Sequence, residues 1–217
     1  MITVIYAHKA GQGVTTIAAA LATITARAGK RTLLVDTGTD LAAVLGINED
    51  HNRPTLTEYL TDTAVALAAI VTNVTENLDL ITRGDRTEAF GPGDSGTLTG
   101  GLDDYDHVII DTTPQAHAWT RHADARVLVT RPCYLALRHA TGRPRPHHLV
   151  VITEPGRALD TGDVEAVTGT PVTAIVPYLP DIARAIDSGT LLTRPPRTLT
   201  RSLTPLVESI TSEQATR

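Results

Sequence analysis

Residues 1–40 set the frame for everything that follows, because they write a short apolar run, a glycine-bearing turn, a helical stretch and a second apolar run that ends on a carboxylate. Ile2, Val4, Ile5 and Tyr6 read as a buried strand that delivers the turn His8-Lys9-Ala10-Gly11-Gln12-Gly13-Val14-Thr15-Thr16. Ile17, Leu21 and Ile24 then recur at helical spacing among alanines, and Gly29 sits where a helix closes. Thr32-Leu33-Leu34-Val35-Asp36 is a second buried strand with an acid at its end. The first backbone N–H groups of such a helix point at whatever occupies the turn, and the helix dipole favours negative charge there. A phosphate suits that place.

Two nucleotide chemistries compete for the turn. One is a loop of the form G-x-x-x-x-G-K-[ST], whose lysine reaches the β- and γ-phosphates and whose hydroxyl holds magnesium. The other is a dinucleotide fingerprint, G-x-G-x-x-G, with Asp36 on a ribose hydroxyl of NAD(P). Gly11 and Gly13 fit the second, but Thr16 stands where its third glycine belongs. A third reading is a structural turn without any ligand.

Positions 9–16 resemble the K-G-G-x-G-K-T-T loop of the ParA/MinD family of deviant Walker A ATPases. Tyr105-Asp106-His107-Val108-Ile109-Ile110-Asp111-Thr112-Thr113-Pro114 is similar to that family's Walker B run, Y-D-x-V-I-I-D-T-P-P. Val127-Leu128-Val129-Thr130-Arg131-Pro132 resembles its base-side strand and loop, and Val176-Pro177-Tyr178 its turn beside the adenine. The resemblance covers nearly the whole chain and implies ATP with magnesium as the ligand. On it, Lys9 falls on the signature lysine that reaches a partner subunit's nucleotide. Gly11, Gln12, Gly13, Thr15 and Thr16 fall on the phosphate loop, and Arg131, Pro132, Pro177 and Tyr178 on the base side. Thr15, Asp36 and Asp111 fall around the magnesium.

Two departures bear on activity. Val14 replaces the family's catalytic-loop lysine, and Gly38 replaces the second aspartate of a D-x-D that positions the attacking water; Asp40 lies two residues too far along. Phosphoryl transfer depends on placed charges, and losing one typically costs about 10² to 10³ in rate. The expectation is therefore a degraded ATP site in a dimerising scaffold for plasmid partition, chromosome segregation, cell-division placement or localisation of an apparatus, with no efficient hydrolysis. The rivals are a weakly active ATPase that recruits Asp40 or a partner's residue, and an NAD(P)-binding protein.

The 217 residues suit one α/β domain, a mostly parallel doubly wound sheet with helices on both faces, and no linker divides them. Aliphatic side chains must supply the core, since there is one Phe, one Trp and one Met. Cys133 is the lone cysteine, which weighs against an iron–sulfur cluster, and the histidines lack metal-ligand spacing. A net charge of −5 argues against non-specific DNA binding over the whole surface. Arg184, Arg194, Arg197 and Arg201 form a candidate DNA patch, diluted by Asp181 and Asp187. No apolar run spans a bilayer, the tail 204–217 lacks a basic amphipathic anchor, and the expected address is the cytoplasm. A homodimer and an unidentified protein partner are expected.

The remaining expected helices are 41–45, 55–60, 64–71, 135–140, 162–167, 181–188 and 198–209, and the remaining strands 78–82, 126–130, 148–153 and 172–176. Residues 86–101, rich in glycine, are the best candidate for a mobile loop, where the family resemblance implies a short helix before the Walker B run, here expected to be frayed or partly disordered. Residues 115–125 are expected to carry the region that senses the γ-phosphate.

Overall fold

The computed structural model describes residues 1–84, 90–91, 93–99, 101–114 and 117–215. Strand β1 (Ile2–Tyr6) leads to helix α1 (Val14–Arg27), β2 (Thr32–Asp36) and α2 (Leu41–Leu45). Helices α3 (Leu56–Thr61) and α4 (Leu67–Ile70) precede the hairpin of β3 (Thr72–Thr75) and β4 (Leu78–Ile81). Then come α5 (Asp94–Thr99), β5 (His107–Asp111), a 3₁₀ helix (His117–His122), β6 (Ala125–Thr130), α6 (Tyr134–Ala140) and β7 (His148–Thr153). The chain closes with α7 (Thr161–Thr168), β8 (Ala174–Pro177), α8 (Pro180–Asp187) and α9 (Arg197–Ala215).

The strands form one eight-stranded sheet in the order β3-β4-β2-β5-β1-β6-β7-β8. All neighbours are parallel except the β3–β4 pair at the edge. Side chains alternate across a strand, and the sequence exploits this on both faces. Ile5, Leu34, Ile109, Val127, Val129, Val150 and Ile152 pack with α1, α2 and α9. Val4, Leu33, Val35, Val108 and Ile110 face the other way, onto Leu56, Leu98 and Trp119. Tyr6, Leu128, Leu149 and Val151 continue that second face under Leu137 and Val164. Two covered faces explain why the strands read as continuous apolar runs.

Several sequence expectations change. The 64–71 helix shrinks to Leu67–Ile70, and β3 follows it, a strand whose alternation of half-buried and exposed residues marks an edge. Within 86–101, α5 is formed and buries Leu98, so that segment is not a loop throughout; residues 85–89, 92 and 100 lie outside the described residues. The final strand shifts to Ala174–Pro177. Helix α9 runs past the expected end at 209 because Leu199, Leu203, Leu206 and Ile210 lie on one buried stripe. Each buried leucine or isoleucine cut to alanine costs about 2 to 5 kcal/mol, and the four on this stripe together outweigh the roughly 3 kcal/mol of the exposed interior Pro205.

Candidate functional site

The C-terminal ends of β1, β2, β5 and β6 converge on the glycine turn. Gly11 and Gly13 hold φ values of +75° and +93°, a region that side chains rarely adopt. Gly13 is also the N-cap of α1, and a Cβ there would meet Ile152 Cδ1 at 2.5 Å. No side chain caps α1 and its first turn holds no acid. The opening N–H groups of a helix have no partners within it, so this end presents uncapped donors to an anion. Gln12 is buried, and its Oε1 accepts from the Arg131 N–H at 2.9 Å, which pins the turn to the loop after β6. Lys9 Nζ donates to the carbonyl of Ala10 at 3.4 Å, so the ammonium folds back on its own loop. Val14 is half-buried, its isopropyl group packed against the core around α1.

Asp36 and Asp111 are register partners at the ends of β2 and β5, and both are buried. Asp36 accepts from the N–H groups of Gly38 at 2.7 Å and Leu41 at 3.0 Å. Burial nevertheless pushes its carboxyl up to about 6, against the pull of those two bonds. Asp111 is raised well above the usual range by burial first and by the Asp36 charge next, while a hydrogen bond from the Thr15 hydroxyl pulls the other way. Two buried carboxylates beside one hydroxyl are the donor set a hard divalent cation takes, with phosphate oxygens and water completing it. These three residues fit magnesium. Among the described residues no cluster of three or more histidine, cysteine or acidic side chains forms a metal site without such outside ligands.

Gly38 leaves the space behind Asp36 without a side chain; a Cβ there would sit 3.2 Å from Asp36 Oδ1. Asp40 is exposed at the start of α2, yet its charge raises both Asp36 and Asp111. Sequence spacing set Asp40 aside; the turn of 37–40 brings its charge within reach of the pair.

Beside the turn lies a cavity of about 190 Å³ lined by Gly13, Thr16, Arg131, Ile152, Pro177 and Tyr178 together with residues of α8. The Arg131 guanidinium stands 5.2 Å from the Tyr178 ring centroid, and its Nη1 pairs with Glu154 at 2.6 Å. Its Nε is buried without a partner. Glu154 was not foreseen; it is held below the usual carboxylate range by Arg157 first and Arg131 after it. Pro132 is buried but does not line this cavity. A cavity of about 230 Å³ near the β3–β4 edge, between Ile47 and Gly84, includes none of the turn residues.

Arg184, Arg194, Arg197 and Arg201 are all exposed, and among the described residues none is ion-paired. The guanidinium of Arg27 bonds the carbonyls of Leu192 and Thr193, which adds an unforeseen cation at the Arg194 end. Gln115 and Ala116, at the start of the expected γ-phosphate region, lie outside the described residues. Cys133 is half-buried. Among the described residues no helix is long and apolar enough to cross a membrane.

Strand order bears on the dinucleotide reading. In a dinucleotide fold the acid ends the strand next to the glycine strand; here β5 separates β1 from β2, and Asp36 faces Asp111 instead.

Residues 3–192 match the family model described as the CobQ/CobB/MinD/ParA nucleotide binding domain. No curated protein matches. Among solved structures, a ParA family ATPase from Chlorobium tepidum TLS is similar at 20% identity and TM-score 0.77, over 95% of this chain and 97% of that one. The septum site-determining protein MinD from Pyrococcus horikoshii OT3, complexed with Mg-ADP, aligns at 20% identity and TM-score 0.77 over 96% and 94%. The cell division ATPase MinD of Pyrococcus furiosus aligns at 21% identity and TM-score 0.78 over 97% and 98%. At such identities the likeness shows the fold.

Proposed function

Because this chain belongs to the CobQ/CobB/MinD/ParA nucleotide-binding family, we propose that it acts as a single ParA/MinD-like domain that holds ATP·Mg weakly, hydrolyses it inefficiently and works as a dimerising positioning or partition scaffold. The observation that carries this reading is the contrast at one centre. Thr15 and Asp36 lie beside Asp111 as a candidate magnesium set, while Val14 packs half-buried against the core and Gly38 carries no side chain. Bound nucleotide would supply phosphate oxygens to the cation and to the N–H groups of α1. The chain's own residues would orient the triphosphate, but the subunit places no ammonium on it. Stabilisation of developing charge is the largest part of phosphoryl-transfer catalysis.

Dimerisation is part of the proposal. Val14 already packs within its own subunit, so it adds little apolar area to a partner. Tyr134 and Leu135, 68% and 51% exposed at the start of α6 beside the base-side loop, supply more. The Lys9 ammonium, which among the described residues bonds a neighbouring carbonyl at 3.4 Å, would be drawn outward by a second subunit's phosphates. Weak DNA binding through Arg184, Arg194, Arg197 and Arg201, an unidentified protein partner and a cytoplasmic address complete the proposal.

Phosphate release at saturating ATP·Mg, run beside sedimentation with and without nucleotide, tests it. The expected result is turnover at background and a dimer in either condition. Turnover typical of an active ATPase that Asp111→Ala abolishes, or a monomer throughout, would overturn it. A weakly active enzyme is the second reading, favoured by the reach of the Asp40 charge to both buried carboxylates; slow turnover that Asp40→Asn removes would establish that reading.

A further inference from the structure

On the face of the sheet opposite α1 lies a cavity of about 240 Å³, lined by Tyr6, His8, Thr120, Arg121, Arg126 and Pro144. Parallel pairing sets Arg126 beside Val4 and Tyr6 beside Leu128, so Tyr6 and Arg126 are diagonal neighbours on adjacent strands. Their side chains leave the sheet on the same side, away from Ile5 and Val127. The 3₁₀ helix brings Thr120 and Arg121 over them. The ring of His8 meets Tyr6 edge-on at 5.5 Å.

The charge of this cavity is one-sided. Among the described residues no carboxylate pairs with Arg121 or Arg126. The nearby Asp124 carboxylate accepts from the Ile2 N–H at 2.8 Å, and the Glu213 carboxylate stands beside His148, its Oε1 3.4 Å from Nε2. Burial holds the Tyr6 phenol up at about 12, so it stays a neutral hydroxyl among the cations. Arg126 is half-buried, and a guanidinium so placed is costly unless an anion reaches it. In a chain of net −5, two unneutralised arginines around a concave wall focus a local positive potential.

We propose that this cavity binds a small phosphate monoester, with the phosphoryl oxygens taken by Arg121 and Arg126. Forked guanidinium donors match a phosphate's oxygens better than point charges do, and two forks suit a dianion better than a single carboxylate. The volume lies below the roughly 300 to 1,000 Å³ usual for larger ligands, which limits the organic part to a few carbons. His8 immediately precedes Lys9 and the 3₁₀ helix follows the β5 end that carries Asp111, so an occupant would bridge the segments leading from two strands of the nucleotide site. The proposal stands on this cavity alone and does not need ATP to bind.

Glycerol 3-phosphate titrated into the ¹⁵N-labelled full chain, followed by amide shifts, provides the test, with inorganic phosphate as the second arm. Shifts should centre on Thr120, Arg121 and Arg126, and the ester should bind more tightly than the bare ion. Arg121→Gln and Arg126→Gln should each weaken it about tenfold or more, as losing a charge-assisted bond does. Arg121 is exposed, so its variant folds even if Arg126→Gln does not. Shifts confined to the amides of Gly11, Gly13 and Thr15, unchanged affinity in Arg121→Gln, or equal binding of inorganic phosphate would each overturn the proposal.

Discussion

Asp36 and Asp111 stand side by side as register partners at the C-terminal ends of the parallel strands β2 and β5, both almost wholly removed from solvent. Neighbouring strands lie about 4.8 Å apart, so each charge disfavours the other. Raised carboxyls hold protons more tightly in the folded than in the unfolded chain. Their stabilising share is therefore complete below about pH 4, the unfolded value, and is lost as pH rises through the folded values. For Asp36, raised to about 6, the loss is about 3 kcal/mol. In chelator, melting temperature should fall between pH 4 and 7. Asp111→Asn should raise it at pH 7.5, since the amide oxygen still accepts from Thr15. A pH-independent parent, or a variant that melts lower at pH 7.5, would contradict this account.

Val14→Lys restores an ammonium at the first turn of α1. The side chain has to leave its half-buried berth against the core, which costs about 1 kcal/mol of stability, while a charge-assisted contact to phosphate contributes about 1.5 to 3 kcal/mol. ATP·Mg affinity by calorimetry should rise about tenfold with little change in turnover. Adding Gly38→Asp is needed before rate rises, and its new Cβ, 3.2 Å from Asp36 Oδ1, should lower the melting temperature further. No gain in affinity from the lysine would mean that the turn is not shaped for phosphate.

Gly13 answers to two constraints that a double variant separates. Gly13→Ala forces a side chain into φ +93° and onto Ile152 Cδ1 at 2.5 Å, and should cost about 2 to 4 kcal/mol. Ile152→Val removes the offending methyl and should recover part of that loss, leaving the backbone strain. Chemical denaturation of the four proteins in the cycle measures the coupling; strict additivity would show that Ile152 is not what the alanine meets.

DNA binding should be weak and steep only in proportion to few phosphates. Neutralising about four phosphates gives a slope of log affinity against log salt near −0.9 per contact. Replacing Arg194, Arg197 and Arg201 together by Gln should abolish binding, and Arg27→Gln should weaken it, because that guanidinium is fixed against the carbonyls of Leu192 and Thr193. Fluorescence anisotropy with duplex DNA at several salt concentrations decides it. Tight binding at high salt would show that other elements hold the duplex.

Local chemistry made much of this protein legible in its sequence. Two glycines in a turn between an apolar run and an alanine-rich helix announce the α1 end, because glycine accepts without strain the φ values found at Gly11 and Gly13. Continuous apolar runs such as 33–35, 108–110 and 127–129 announce a sheet covered on both faces, since residues facing each way must all leave water. Carboxylates ending two such runs signal a buried acidic centre. Tertiary structure decided what depends on residues far apart in the chain. Inserting β5 between β1 and β2 set Asp36 against Asp111 and made their titrations interdependent. The half-buried place of Val14 follows from how the start of α1 meets the core, and no spacing rule reports that. Glu154 reaches Arg131, and Arg121 reaches the wall of Arg126 and Tyr6, only once β6, β7 and the 3₁₀ helix have docked. The β3 edge strand was missed, and α5 was legible only through the family resemblance, for the same reason: their few apolar side chains gain enough burial only against a surface that the rest of the chain supplies.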